Sequence, residues 1–212
     1  MKIILMGPPG SGKGTQAGHI ASMFDVNCVS SGDLFRDNLA KNTELGKLAK
    51  DFMDKGEYVP DEVTIEMVME WIEKPSHASG FVLDGFPRTL TQAEALESRL
   101  LDSGGIDRVL FFNVGEETLV DRLSGRLICR TCHMPHHIKF SPPLITEKCN
   151  SCGGGLYQRD DDKVEVIRNR LDVYMQETEP LVKHFRELGN LREIDASEGI
   201  NDVKRAIEKA VR

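Results

Sequence analysis

No run of apolar residues in this 212-residue chain approaches the about 18 needed to cross a bilayer as a helix. One lysine and a four-residue apolar run precede the first glycines, which is too short for a secretory leader. Positive charge is also in deficit. A net charge of -7 argues against a general nucleic-acid binder, which is normally basic, so any cationic site must be local and built for a particular anion. There are no internal repeats and no low-complexity tracts. The remainder, 40% hydrophobic and 29% charged, is that of an ordinary globular protein long enough to bury a proper core. The chain reads as cytoplasmic and without a membrane partner. Its five cysteines are then not expected to form disulfides, because that compartment keeps thiols reduced.

What is present begins with Gly7-Pro-Pro-Gly-Ser-Gly-Lys-Gly-Thr15, between the apolar run Ile3–Met6 and a helical stretch from Gln16 to Phe24. Strand, glycine-rich loop and helix form the context of a phosphate-binding loop. Glycines let successive N–H groups turn toward one anion, the helix N-terminus adds partial positive charge, and Lys13 reaches the outer phosphates as a point charge. The hydroxyl comes one residue later than in the common pattern, at Thr15, which weakens its assignment as a direct Mg2+ ligand.

Further along, Asp25–Val29 reads as a strand with Cys28 as a small buried side chain, and residues 30–59 as an insertion of two small helices. Asp61 is expected to cap a helix to about Glu73. Phe81-Val-Leu83 is an unalternating apolar run, the mark of a strand buried on both faces, with Asp84 at its C-terminal end, where open α/β sheets bind ligands. A helix over 91–101, a strand over 108–114 and a helix over 116–123 follow. A long helix is expected over 164–188, then a strand at 191–194 and a helix over 201–211. Five strands alternating with helices imply a parallel, doubly wound α/β sheet.

Between Gly125 and Asp162 the character changes. Cys129-x-x-Cys132 and Cys149-x-x-Cys152, sixteen residues apart, have zinc-site spacing. Four thiolates close a tetrahedron around Zn2+ with no open position, so the expected role is structural. His133, His136 and His137 lie between the pairs and could replace a thiolate, although both pairs are complete. Arg36, Arg88, Arg122, Arg126, Arg159 and Arg170 stand beside glycines, turns or the edges of this segment. Alone each is an ordinary surface charge; together they suit phosphoryl transfer, where guanidinium forks hold donor, transferred group and acceptor. No nucleophilic triad can be assembled. None is needed if the acceptor is itself a phosphate, already ionised near neutrality.

With these residues in place the chain resembles the adenylate kinases, in the bacterial form with a long, zinc-bearing lid. The matching stretches are Gly7–Ala17, Ser31-Gly-Asp33 with Arg36, Phe81-Val-Leu-Asp-Gly-Phe-Pro-Arg-Thr89 with Gln92, Asp121-Arg-Leu-Ser-Gly-Arg126 and Tyr157-Gln-Arg-Asp-Asp161. The shifted Gly-Lys-Gly-Thr is that family's own form. The resemblance implies a P-loop core of residues 1–29, 60–125 and 163–212, a nucleoside-monophosphate-binding insert of 30–59 and a lid of 126–162. It implies Mg2+-dependent ATP + AMP ⇌ 2 ADP by in-line transfer, in a monomer that binds no nucleic acid.

By the same resemblance, Gly10, Ser11, Gly12, Lys13, Gly14 and Thr15 cradle the ATP phosphates. Arg122, Arg126, Pro135 and His136 lie against ATP, and the backbone near Glu198 reads its adenine. Ser31, Arg36, the backbone of Glu57, Tyr58 and Val59, Gly85, Phe86, Pro87, Arg88 and Gln92 form the AMP site. Arg159 and Arg170 bridge the phosphates, and Asp84 holds Mg2+ through water. Zinc ligation falls to Cys129, Cys132, Cys149 and Cys152. Three departures stand out: Ser31 for a usual threonine, His136 for a tyrosine and Ala196 for a glycine. A UMP or CMP kinase of the same fold is the nearer rival, with Gln92 and the zinc-bearing lid counting against it; a P-loop switch NTPase would carry a guanine-reading Asn-Lys-x-Asp or a cassette-type signature, neither of which occurs.

Overall fold

A computed structural model of the chain describes residues 1–211. Strands β1 (Lys2–Met6), β2 (Asn27–Ser30), β3 (Phe81–Asp84), β4 (Arg108–Asn113) and β8 (Leu191–Asp195) form one parallel sheet in the order β2-β3-β1-β4-β8. Both faces of its centre are covered. Ile3, Leu5, Val82, Leu110 and Phe112 point to one side and pack on α1 (Lys13–Phe24), α6 (Glu116–Ser124), α7 (Val164–Val173) and α9 (Ile200–Ala210). The alternate residues Ile4, Met6, Phe81, Leu83, Val109 and Phe111 meet α4 (Asp61–Ile72), α5 (Leu90–Leu100) and α8 (Pro180–Glu187). Each fully buried aliphatic or aromatic side chain contributes about 1.5–3 kcal/mol of transfer free energy. The continuous apolar runs of β1 and β4 follow from burial on both faces.

Two short helices, α2 (Ser31–Ala40) and α3 (Glu44–Met53), follow β2, and their Phe35 and Ala49 reach the second core. Thr43 caps α3, its hydroxyl accepting from the Gly46 N–H at 3.0 Å. The cysteine-bearing segment forms a separate antiparallel sheet of β5 (Arg126–Cys129), β6 (Pro135–His137) and β7 (Leu156–Tyr157), in the order β6-β5-β7.

Several sequence expectations change. The first helix begins at Lys13, three residues earlier than expected, so the end of the glycine loop is its first turn. Asp61 is the first residue of α4, not its cap; Pro60 precedes it in extended conformation, and the Asp61 carboxylate is spent elsewhere. The helix expected over 164–188 is interrupted by a π-turn at Tyr174–Thr178. Pro180 has no N–H to continue the α-pattern, and the Glu179 N–H bonds Tyr174 O five residues back at 2.9 Å. Cys28 is exposed rather than buried, because β2 is an edge strand. No helix among the described residues is long and apolar enough to cross a membrane.

Candidate active site

The C-terminal ends of β1 and β3 open onto a cleft of about 630 Å3, the position at which open α/β sheets bind ligands. Gly12 caps α1 with φ of 94°, a left-handed conformation that costs little only for glycine. With this turn the loop closes on itself, Ser11 N–H bonding Pro8 O at 3.2 Å. Lys13 Nζ donates to Gly7 O (2.6 Å), Pro8 O (2.8 Å) and Ser11 Oγ (3.2 Å). Burial pulls its pKa down to about 8, Asp84 opposing and Arg88, Arg170 and Arg126 adding to the shift. At the end of β3, burial pushes the Asp84 carboxyl above its ordinary range, against the pull of Lys13 and Arg88.

The cleft is lined by Gly10 to Thr15, Ser31, Arg36, Glu57, Tyr58, Val59, Asp84, Gly85, Pro87, Arg88, Gln92, Arg122, Arg126, Pro135, His136, Arg159, Arg170 and Glu198. Phe86 is the one expected nucleotide contact outside it: its side chain is 1% exposed, in the core below. Lysine and arginine contribute seven of the lining side chains, aspartate and glutamate five, a local excess of positive charge in a chain of net charge -7. Such an interior suits a polyanion and repels a cationic ligand.

Carboxylates that were not singled out in the sequence hold these guanidinium groups. Arg126 grips Asp162 through two nitrogens, Nε at 2.8 Å. Arg170 donates to Asp161 O (2.8 Å) and Asp162 Oδ1 (3.1 Å). Asp33 Oδ1 accepts from Arg36 Nη2 at 2.6 Å and Arg159 Nη2 at 3.5 Å. Burial, then Arg36 and Arg126, lowers the Arg159 pKa to about 10. Although burial disfavours its charge, Asp161 is held below the ordinary carboxylate range by Arg170 and Arg126. The clue to Asp161 and Asp162 was the acidic run next to Arg159; Asp33 sat inside Ser31-Gly-Asp33.

On the β2–β3 side, Ser31 Oγ donates to Gly85 O at 2.6 Å, so the serine that replaces the usual threonine keeps a hydroxyl contact. Gln92 Oε1 accepts from the Arg88 N–H (2.8 Å) and its Nε2 donates to Asp61 Oδ1 (2.7 Å). One amide N–H and one carbonyl lone pair are left over, the pairing that an adenine edge takes. Asp61 Oδ2 also accepts from Thr89 Oγ1 at 2.8 Å, so Asp61 orients the amide, a role no local pattern announced. On the opposite side Arg122 donates to Ala196 O (2.9 Å) and Ser197 O (3.2 Å), tying α6 to the loop after β8.

The four cysteines Cys129, Cys132, Cys149 and Cys152 converge, all Sγ atoms lying within 4.8 Å of one another. Neighbouring separations are 3.3 Å (Cys132–Cys152), 3.4 Å (Cys129–Cys152) and 3.6 Å (Cys132–Cys149). A tetrahedron with Zn–S bonds of about 2.3 Å has edges of about 3.8 Å, so the donor set fits zinc. The Thr131 and Cys132 N–H groups donate to Cys129 Sγ (3.4 and 3.5 Å) and Ser151 N–H to Cys149 Sγ (3.4 Å). Backbone donation, from Cys132 first, lowers the Cys129 thiol to about 6, whereas Cys132, despite backbone donation from Met134, is pushed up by its hydrogen bonds to the neighbouring thiols; a metal requires all four as thiolates. Gly154 makes the fourth wall: a Cβ there would lie 2.9 Å from Cys129 Sγ.

His137 is committed elsewhere. Its Nδ1 accepts from the Lys139 and Phe140 N–H groups (2.9 and 3.0 Å), so Nε2–H donates to Asp121 O at 3.1 Å. His133 is exposed. His136 is 5% exposed with Nε2 3.4 Å from Cys149 Sγ. Its ring therefore borders the cleft and the cysteine cluster together, the two places the sequence offered for it, as a contact to ATP and as a possible substitute for a thiolate.

Comparison with known proteins agrees with this geometry. The family model described as "Adenylate kinase" matches residues 5–190. Among curated relatives, the adenylate kinase of Carboxydothermus hydrogenoformans is 49% identical over 212 residues, covering 100% of this chain and 99% of its own. That of Archaeoglobus fulgidus is 48% identical over 209 residues, 98% of this chain and 96% of its own. That of Methanocella arvoryzae is 46% identical over 213 residues, 100% and 99%. With a matching family model over most of its length and full-length relatives at this identity, the chain belongs to the adenylate kinase family.

Proposed function

We infer that the protein is an adenylate kinase, a phosphotransferase that interconverts ATP and AMP with two ADP. The observation that carries this is the convergence of Lys13, Arg36, Arg88, Arg126, Arg159 and Arg170 on one continuous cleft in a chain of that family. The ATP phosphates lie on the loop from Gly10 to Thr15. AMP lies against Ser31, Arg36, Gly85 and Arg88, with its base at Gln92 and the backbone of 57–59. ATP adenine lies between Arg122 and the loop of Ala196 to Glu198. Arg159 and Arg170 span the two phosphate chains.

Catalysis then consists of alignment and charge neutralisation. An AMP phosphate oxygen, already ionised, attacks the γ-phosphorus in line, and ADP leaves. Lys13 follows the transferred group, and the guanidinium groups exchange Asp33, Asp161 and Asp162 for phosphate oxygens as charge develops on them. Asp84 would hold, through water, the Mg2+ that comes with ATP, and that ion would supply further positive charge to the phosphates. Residues 30–59 and 126–162 close over AMP and ATP on a core of 1–29, 60–125 and 163–212, excluding the water that would hydrolyse ATP. Zn2+ held by Cys129, Cys132, Cys149 and Cys152 would keep the second piece rigid. The protein acts as a cytoplasmic monomer without nucleic acid.

The test is ADP formation from Mg-ATP with and without AMP, UMP, CMP or GMP. Strong dependence on AMP and little ATP loss alone are expected. A preference for UMP or CMP would overturn Gln92 as the adenine reader, and hydrolysis indifferent to any monophosphate would overturn the kinase reading.

A further inference from the structure

The backbone role given to residues 57–59 leaves the Tyr58 side chain unused, yet it is tied into the centre of the site. Its ring lies under the Arg88 guanidinium, 5.0 Å from Cζ to ring centroid, within the range of cation–π attraction. Its hydroxyl is 2.8 Å from Thr178 Oγ1. Thr178, 4% exposed, donates its one hydroxyl hydrogen to Arg88 O at 2.8 Å. A threonine hydroxyl has a single proton, so in the Tyr58–Thr178 bond the tyrosine is the donor. Thr178 reaches this position from the π-turn before Pro180, a local winding that recurs at functional sites.

Arg88 is therefore fixed from four directions. Its N–H donates to Gln92, its carbonyl accepts from Thr178, its Nε donates to Gly85 O at 2.8 Å, and its face rests on Tyr58. These contacts leave both terminal nitrogens available, the fork that binds a phosphate through two parallel hydrogen bonds. We propose that Tyr58, chiefly through its ring beneath the guanidinium and secondarily through its hydroxyl on Thr178, is a positioning residue that holds the Arg88 fork in register for the acceptor phosphate. The proposal rests on Arg88 binding AMP, so its test separates the two claims.

Steady-state constants for AMP and ATP and melting temperatures are measured for wild type, Tyr58→Leu, Tyr58→Phe, Thr178→Val, Arg88→Met and the Tyr58→Leu/Arg88→Met pair. Loss of the ring in Tyr58→Leu is expected to raise KM for AMP roughly tenfold, with KM for ATP within about twofold. Tyr58→Phe, which keeps the ring, recovers most of the loss, and Thr178→Val falls between. In the Arg88→Met background, Tyr58→Leu adds less than about twofold, because its route of action has gone. Equal changes in both KM values, no change at all, or an undiminished Tyr58 effect without Arg88 would overturn the proposal. If Arg88→Met alone leaves KM for AMP unchanged, the AMP-site reading falls and the proposal with it. An unchanged KM in Tyr58→Leu beside a large Arg88→Met effect removes the Tyr58 role only.

Discussion

Lys13→Met will lower kcat for ADP formation about a thousandfold, the scale on which removing one preorganised donor to a developing anion acts. Its melting temperature will stay within about 3 °C of wild type. The two effects separate because the charge is costly to the empty protein. Burial drags the Lys13 pKa to about 8, so the fold disfavours the ammonium it holds, and methionine keeps the stem while removing that penalty. Against this stand the lost bonds to Gly7 O, Pro8 O and Ser11 Oγ. A pH signature accompanies the rate. Phosphate favours the ammonium, so the pKa rises when ATP binds, and a proton is taken up above the free value of about 8. Wild-type affinity for ATP is then steady between about pH 7 and 8 and declines above that, whereas Lys13→Met lacks the decline. Calorimetry in two buffers of different ionisation enthalpy reads the proton directly. A mutant that keeps kcat, or a wild type with no proton uptake, contradicts the assignment.

Stripping metal from the cysteine cluster will lower the melting temperature by about 10 °C or more, a loss on the order of 3–4 kcal/mol for a chain of this length. It will also open residues 126–162 to proteolysis while the large sheet stays protected. The segment cannot hold itself together by burial. Ile128, Cys129 and Cys149 are buried, but Met134, Ile138, Phe140, Leu144 and Ile145 are exposed, too small a core to offset the entropy of ordering about 35 residues. A metal bound by deprotonated thiols would supply that deficit as folding free energy. Cys149→Ser should reproduce the effect. Cys28→Ser, at an exposed thiol on the edge strand, should not. Metal-free protein with unchanged melting and an unchanged cleavage pattern would remove the structural role.

What could be read in advance depended on whether the physics was local. The phosphate loop shows itself because a glycine-rich turn must stand between a buried strand and a helix N-terminus. Asp84 shows itself as the end of a run buried on both faces, and the cysteines by knuckle spacing. Cys28 misled because Asp25–Val29 looks alike in an edge and a central strand, and only the order β2-β3-β1-β4-β8 distinguishes them. The helix expected over 164–188 ran straight through Pro180, which could have signalled a break but not that the chain would take a π-turn rather than stop. Asp61 acts on Gln92 across 31 residues and Thr178 on Arg88 across 90; neither pairing leaves a mark in either neighbourhood. The arginines were visible as charges, while their pairing with Asp33, Asp161 and Asp162 is a property of the folded cleft.

The central claim is direct transfer between two bound nucleotides, with the protein aligning and neutralising but never forming a bond to phosphorus. The stereochemical course tests this most directly, using ATP whose γ-phosphoryl group is made chiral with oxygen isotopes and following it into the β-position of the ADP formed from AMP. A single in-line displacement predicts inversion at phosphorus. Retention would require two displacements through a phosphorylated side chain and would contradict the account.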